Sequence, residues 1–358
     1  MSRQATSASQ TPAFSPAELS YLHSSLAHPN APIRPDGRSS TQFRPLTAES
    51  DILPGANGSA RIGFADGTQA IVGVKAEVER SAGFHQVQDI ASGTENGNEN
   101  ETEAAGPGRG GGGGQSSWVQ MSIEIPGFRD DDALPVFLAE MMREPLVGSV
   151  EGKTTETTGL KERLVINRRW HWRLYIDVLL LSQPLSYPLP LLSLTTHLAL
   201  LSTKLPKLKS QGEEDPFFDD DWDVAEFLYP RGGKRQGLQL VRPPVTLLVI
   251  AVEDNIIFDP TREEIAVADT LLAVSVARDS DPDSGNALKL LSIRTVDPPS
   301  RLTQPASPET ADQGETPGAW KPRRGGVKRA TIARIVKMVI KRGGVGEEVL
   351  HGLEGVDF

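Results

Sequence analysis

Two short motifs concentrate opposite charges densely enough to do chemistry. Arg34-Pro35-Asp36-Gly37-Arg38 sets two guanidinium groups around one carboxylate. Proline fixes φ and glycine accepts positive φ, so the chain reverses there as a charged turn. Asp259-Pro260-Thr261-Arg262-Glu263-Glu264 gathers three carboxylates behind an apolar run. Paired acids could hold a metal, but the Thr261-to-Glu264 spacing also fits a capping box, in which hydroxyl and carboxylate satisfy reciprocal backbone donors. Capping is the simpler reading.

A third acidic group runs Glu213-Glu214-Asp215 and then Asp219-Asp220-Asp221-Trp222-Asp223. Magnesium takes oxygen ligands in octahedral geometry, usually from carboxylates on separate rigid elements. A contiguous run beside Pro216, Phe217 and Phe218 reads more simply as a solvated loop with an aromatic anchor. No metal and no cofactor is expected. Gly110–Gly114 lacks the Gly-Lys-Ser/Thr ending of a phosphate loop and reads as a linker. The six histidines are scattered, with no spacing that suggests a nucleophilic triad. Basic residues crowd the stretch from Lys321 through Arg323, Arg324, Lys328, Arg329, Arg334 and Lys337 to Arg342. They suit phosphate contact, a nuclear-entry signal or the solvated face of a last helix.

The elements that must position these groups follow from periodicity. Pro16–Ser25 reads as a helix capped by Ser15, with proline at its first position. Strands are expected at Arg44–Leu53, Ser59–Phe64, Thr68–Glu79, Trp118–Ile125 and Trp170–Leu181. Ala65-Asp66-Gly67 joins the second and third as a hairpin turn. Asp130–Arg143 is expected as an amphipathic helix and Leu191–Lys204 as a buried one. In the second half, hairpins are expected at Val245–Val252 with Ile256–Phe258, and at Leu271–Val276 with Leu288–Ile293 about a turn at 279–286. A final helix, Thr331–Arg342, is expected to end at Gly343. Strands followed by helices, twice over, indicate an α+β fold.

With 358 residues, the chain can bury one substantial core or two small ones. Low-complexity stretches at 1–15, 91–117 and 297–326 cannot bury enough apolar surface to offset ordering entropy and are expected as a disordered tail and insertions. The organisation expected is therefore a tail at 1–15, a first half at 16–205 and a second half at 206–358. A net charge of −10 excludes a free-standing basic nucleic-acid binder, so any RNA contact must come from a local patch or a partner. Cysteine is absent, which removes disulfides and thiolate chemistry. The apolar stretch from Leu174 to Leu205 is broken by Asp177, Gln183, three prolines and His197, so a membrane span is not expected. The N-terminus is polar with no apolar core of signal-peptide length, and the sequons at Asn57 and Asn100 are expected to stay unused.

The Arg34–Arg38 turn, the Asn57-Gly58-Ser59-Ala60 signature and the Val72–Glu77 strand together resemble the ring subunits of the RNA exosome, which belong to the RNase PH-like family. Trp172–Val178 and Asp259–Glu264 extend the resemblance over most of 16–353, and it is most similar to a ring type without phosphorolytic chemistry. It implies an RNase PH-like (ribosomal protein S5 domain 2-like) mixed sheet with packed helices. It also implies a place in a hexameric ring with other RNase PH-like subunits, cap subunits bearing RNA-binding domains, a separate catalytic nuclease and RNA threading the centre, in nucleus, nucleolus and cytoplasm.

In active relatives, the junction after Asp177 carries an acid, paired glycines and an arginine, whose backbone N–H groups and charge hold the attacking phosphate. Here it reads Ser182-Gln183-Pro184-Leu185-Ser186-Tyr187-Pro188-Leu189-Pro190, with prolines in place of donors and no cation. The resemblance therefore implies a subunit without catalytic residues. Arginines of such rings project into the channel, and Arg143, Arg168 and Arg169 are the candidate RNA contacts. The rival expectation is an active phosphorolytic exoribonuclease, with Asp177 and Asp259 assembled into a site.

Overall fold

The computed structural model describes residues 14–81, 114–148, 160–212, 214–229, 242–278, 288–296, 320–321 and 326–356. The tail up to residue 13, residues 91–113 of the first insertion, Glu213, the turn at 279–286, Arg323, Arg324 and most of 297–326 lie outside them.

Two sheets face each other across one helix. The first sheet contains β1 (Leu46–Ser50), β2 (Gly58–Phe64), β3 (Gln69–Arg80), β4 (Val119–Glu124) and β5 (Trp170–Leu180), in the order β1-β2-β3-β5-β4. Its pairings are antiparallel except β4 with β5, which run parallel. The sheet is thus mixed. Strand alternation sends Val72, Val74, Leu174, Ile176 and Val178 to the inner face, while Lys75, Glu77 and Asp177 stand exposed on the outer one.

The second sheet is antiparallel, in the order β11 (Leu288–Val296), β10 (Thr270–Arg278), β8 (Val245–Val252), β9 (Asn255–Phe258). Every residue of β8 is buried, as expected of a central strand covered on both faces. Beyond it pack α6 (Arg329–Ile340), through Ile335 and Val339, and α7 (Val345–Glu354), through Leu350 and Leu353. The last helix expected at Thr331–Arg342 ends two residues early, and Gly343 turns the chain at φ +65° into α7, which sequence periodicity did not reveal.

The helix between the sheets, α4 (Leu189–Ser202), packs on β1, β2, β3 and β5 of one sheet and β8 of the other, and all of its residues are buried. An all-round apolar sequence is what such a position requires. Its end docks closely on β2: a Cβ on Gly58 would lie 2.4–2.6 Å from Thr203. One buried cluster runs continuously from Leu19 in α1 (Pro16–Leu26) through both sheets to Leu353. The remaining elements are α2 (Ala133–Val147) against β4, the single turn α3 (Leu160–Arg163), the short pair β6 (Lys204–Leu205) with β7 (Glu226–Phe227), and α5 (Arg262–Ala266) near α1. Among the described residues, no helix is long and apolar enough to cross a membrane.

A buried arginine–carboxylate network and a candidate nucleic-acid interface

The two charged motifs meet in space. Arg34, wholly buried, donates from Nε to Glu264 Oε1 at 2.7 Å and from Nη2 to Glu264 Oε2 at 2.9 Å. Its remaining N–H groups reach the carbonyls of Ser39, Gln42, Phe258 and Asp259 at 2.9–3.3 Å. Arg38 binds Asp36 at 2.6 Å and Asp259 Oδ2 at 2.9 Å. Arg44 donates from its backbone N–H, Nε and Nη2 to Asp259 at 2.7–3.3 Å, and from Nη1 to Asp66 at 2.8 Å. Burial works against the Arg44 charge, but Asp259 and Asp66 outweigh it and hold the guanidinium above its ordinary pKa.

The carboxylate half of the expected capping box is made, with Thr261 N–H donating to Glu264 Oε2 at 2.8 Å. Glu264 does more than cap, however, because the same carboxylate receives Arg34. Asp259 sits at φ +46°, a strained backbone for a non-glycine residue, held by donors on both carboxylate oxygens. These acids are therefore filled by arginines.

The 182–190 junction runs into α4 through Pro184, Pro188 and Pro190. Pro188 occupies the N-cap without a side-chain hydrogen bond, and Pro190 removes an N–H from the first turn. A cation does reach it, correcting the expectation from local sequence: Arg44 Nη1 donates to Ser186 Oγ at 2.8 Å. That arginine comes from 142 residues upstream, and it is shared with Asp66 and Asp259. Asp177 does not join Asp259. It is exposed on the outer face of β5 and accepts from Ser122 Oγ at 2.6 Å, while Asp259 is fully buried.

The three candidate RNA-contacting arginines lie toward one end of the first sheet. Arg143 on α2 donates twice to Glu140, at 2.9 and 3.0 Å, and once to the Ser116 carbonyl at 2.9 Å, just ahead of β4. Trp118 beside it stacks on His171 at 4.0 Å, so the start of β4 lies next to the start of β5. Arg168 and Arg169 are exposed in the turn immediately before β5. Asn167 Oδ1 shapes that turn by accepting from the N–H groups of Arg169 and Trp170, both at 2.9 Å. A groove of about 660 Å³ opens between β4 and α2, lined by Gln120, Ser122, Val136, Glu140 and Arg143 among others.

No protein-family model matches the chain. It is 31% identical over 274 residues to the exosome complex component rrp42 of Schizosaccharomyces pombe, spanning 72% of this chain and 77% of that protein. Against RRP42 of Saccharomyces cerevisiae it is 30% identical over 267 residues, spanning 73% of this chain and 81% of that one. The chain belongs to the Rrp42 family of exosome complex components. A more distant member from Sulfurisphaera tokodaii is 23% identical over 250 residues, 69% of this chain and 75% of that protein. Among solved structures, a chain of the Archaeoglobus fulgidus exosome with RNA bound to its active site superposes with TM-score 0.49 at 20% identity, covering 83% of this chain and 91% of that one. Rice Rrp46 superposes with TM-score 0.46 at 12% identity, covering 90% and 100%.

In this Rrp42-family chain several other charged residues among those described are held by local contacts. Lys209 pairs with Asp219 at 3.0 Å, and Asp221 caps the short turn that follows it. Asp215 accepts from the Trp170 indole N–H at 3.1 Å. Among the described residues, no group of three or more His, Asp or Glu side chains is arranged to hold a metal ion. The basic residues of α6 flank its buried stripe, with Arg334 donating to the Asp254 carbonyl at 2.8 Å. Sequence reading missed Arg44, Asp66 and Ser186 as members of one site, because each is an ordinary residue in its local context.

Proposed function

We propose that this chain is a non-catalytic structural and RNA-channel subunit of the exosome ring. In that role it supports 3′-to-5′ RNA processing and decay, including ribosomal RNA maturation. The observation that carries this reading is the state of Asp259 and Glu264: both are buried, and both are engaged by Arg34, Arg38 or Arg44. Carboxylates so engaged are not available to bind a metal or transfer a proton. The proline-rich junction supports the same reading, because it lacks the run of backbone donors that an attacking phosphate needs.

The partners proposed are other RNase PH-like ring subunits, cap subunits with RNA-binding domains, the catalytic nuclease and RNA, with no membrane. The halves 16–205 and 206–358 are proposed as two RNase PH-like units, and nucleus, nucleolus and cytoplasm as the compartments. Arg143, Arg168 and Arg169 are proposed to contact RNA phosphates.

The test is a phosphorolysis assay with labelled single-stranded RNA, phosphate and magnesium, run on the full chain alone and after mixing with ring subunits, with particle mass measured in parallel. Assembly into a ring-sized particle without nucleoside diphosphate release by this chain is the expected result. Diphosphate release that Asp259→Ala abolishes would overturn it in favour of an active phosphorolytic exoribonuclease.

A further inference from the structure

The end of the first sheet that carries Arg168 and Arg169 also holds an arginine lying over a half-buried tryptophan. Arg80 closes β3 and Trp170 opens β5, and the two are directly paired in the strand register. The Arg80 guanidinium carbon lies 5.0 Å from the Trp170 ring centre. Arg80 is exposed, and no carboxylate among the described residues pairs with it. The indole beneath is held in place: its N–H donates to Asp215 at 3.1 Å, and its backbone N–H donates to Asn167. The Arg169 carbonyl accepts from Ser81 N–H at 2.7 Å, which clamps the two strand ends together. Glu79, the acid next to Arg80 in β3, is engaged by Arg173 at 3.0 Å.

We infer that this corner is a stacking site for single-stranded RNA. One unpaired base lies on the outer face of the Arg80 guanidinium, which is itself stacked on Trp170, and adjoining phosphates meet Arg168 and Arg169. A planar guanidinium presents one face to the indole and leaves the other open, and unstacked bases settle on such planes with little regard to sequence. Duplex RNA buries its base faces and does not fit. The inference rests on the RNA-channel reading above and adds Arg80, Trp170 and base stacking to it.

The experiment measures binding of a short fluorescein-labelled oligouridine, and of an abasic strand of equal length, to the full chain alone and in the assembled ring. Trp170→Ala and Arg80→Lys are each expected to weaken oligouridine binding about tenfold while leaving the abasic strand unaffected. Trp170→Phe, which keeps an aromatic plane, is expected to bind nearly as wild type. Arg168→Ala and Arg169→Ala are expected to weaken both strands and to flatten the salt dependence. Thermal melting on the same samples separates loss of binding from loss of folding. Equal oligouridine binding by folded Trp170→Ala, Arg80→Lys and wild-type protein overturns the stacking site while leaving the ring role standing. Failure of the wild-type chain to enter a ring-sized particle overturns the ring role instead, and the oligouridine comparison on the chain alone still decides the site.

Discussion

Arg34 and Glu264 stand 230 residues apart in the chain, yet they meet through two parallel N–H···O bonds of 2.7 and 2.9 Å with both side chains wholly buried. A planar guanidinium matches a carboxylate in this forked geometry, and lysine could not replace it. The pair fastens the turn before the first sheet to α5, which follows the second sheet's edge strand. Three arginines and four carboxylates, Asp36, Asp66, Asp259 and Glu264, complete the network.

Breaking this network from one side should be costly. Glu264→Ala leaves a buried guanidinium without its anion and is expected to destabilise the fold by ~3–5 kcal/mol, measured by urea denaturation. The double variant Arg34→Met/Glu264→Leu should recover only part of that loss. Arg34 also serves the carbonyls of Ser39, Gln42, Phe258 and Asp259, and methionine cannot. Full recovery would show that the carbonyl contacts contribute little.

His197 in α4 gives the fold a pH dependence. Burial between the sheets pushes its imidazole down to about 4. The unfolded chain, with an ordinary value near 6.5, binds a proton that the folded chain refuses. Stability is therefore fully present above about pH 6.5 and falls as the pH drops toward 4, by roughly 3 kcal/mol in all. His197→Leu should flatten this slope in urea titrations at pH 7 and pH 5. An unchanged slope would locate the dependence elsewhere.

Gly58 is a position where a single methyl group should be felt. An added Cβ would stand 2.4–2.6 Å from Thr203, including its backbone N and Cα, which cannot rotate away. Gly58→Ala is expected to cost ~1–3 kcal/mol as β2 and the end of α4 are forced apart. Thermal melting reads the effect, and a melting point equal to wild type would show that the two elements separate freely.

Arg143→Ala tests the proposed phosphate contact. Its pairing with Glu140 is partly solvated, so stability should change by less than about 1 kcal/mol. RNA binding by the assembled ring should weaken for every sequence alike, and its salt dependence should lose about one unit of slope. Binding and slope equal to wild type would remove Arg143 from the channel.

Sequence alone determined the α+β class, most strands, the Asp66-Gly67 hairpin and the buried helix, because these depend on periodicity and turn chemistry that act over a few residues. It also marked both charged motifs, since arginine, proline, aspartate and glycine crowd into short windows there. It assigned the second motif to capping, a role that Glu264 fills while it also receives Arg34. Helix α7 escaped notice because it is short and packs mainly on α6, from which it is separated by only a few residues. Only the tertiary structure decided that Arg34 serves Glu264, that Asp259 collects Arg38 and Arg44, and that Arg44 reaches Ser186. Those pairings span 142 to 230 residues, and nothing local selects a partner at that distance. The folding of two sheets around one apolar helix selects it, by bringing the end of β9 against the turn that precedes β1 in a space dry enough for charges to need each other.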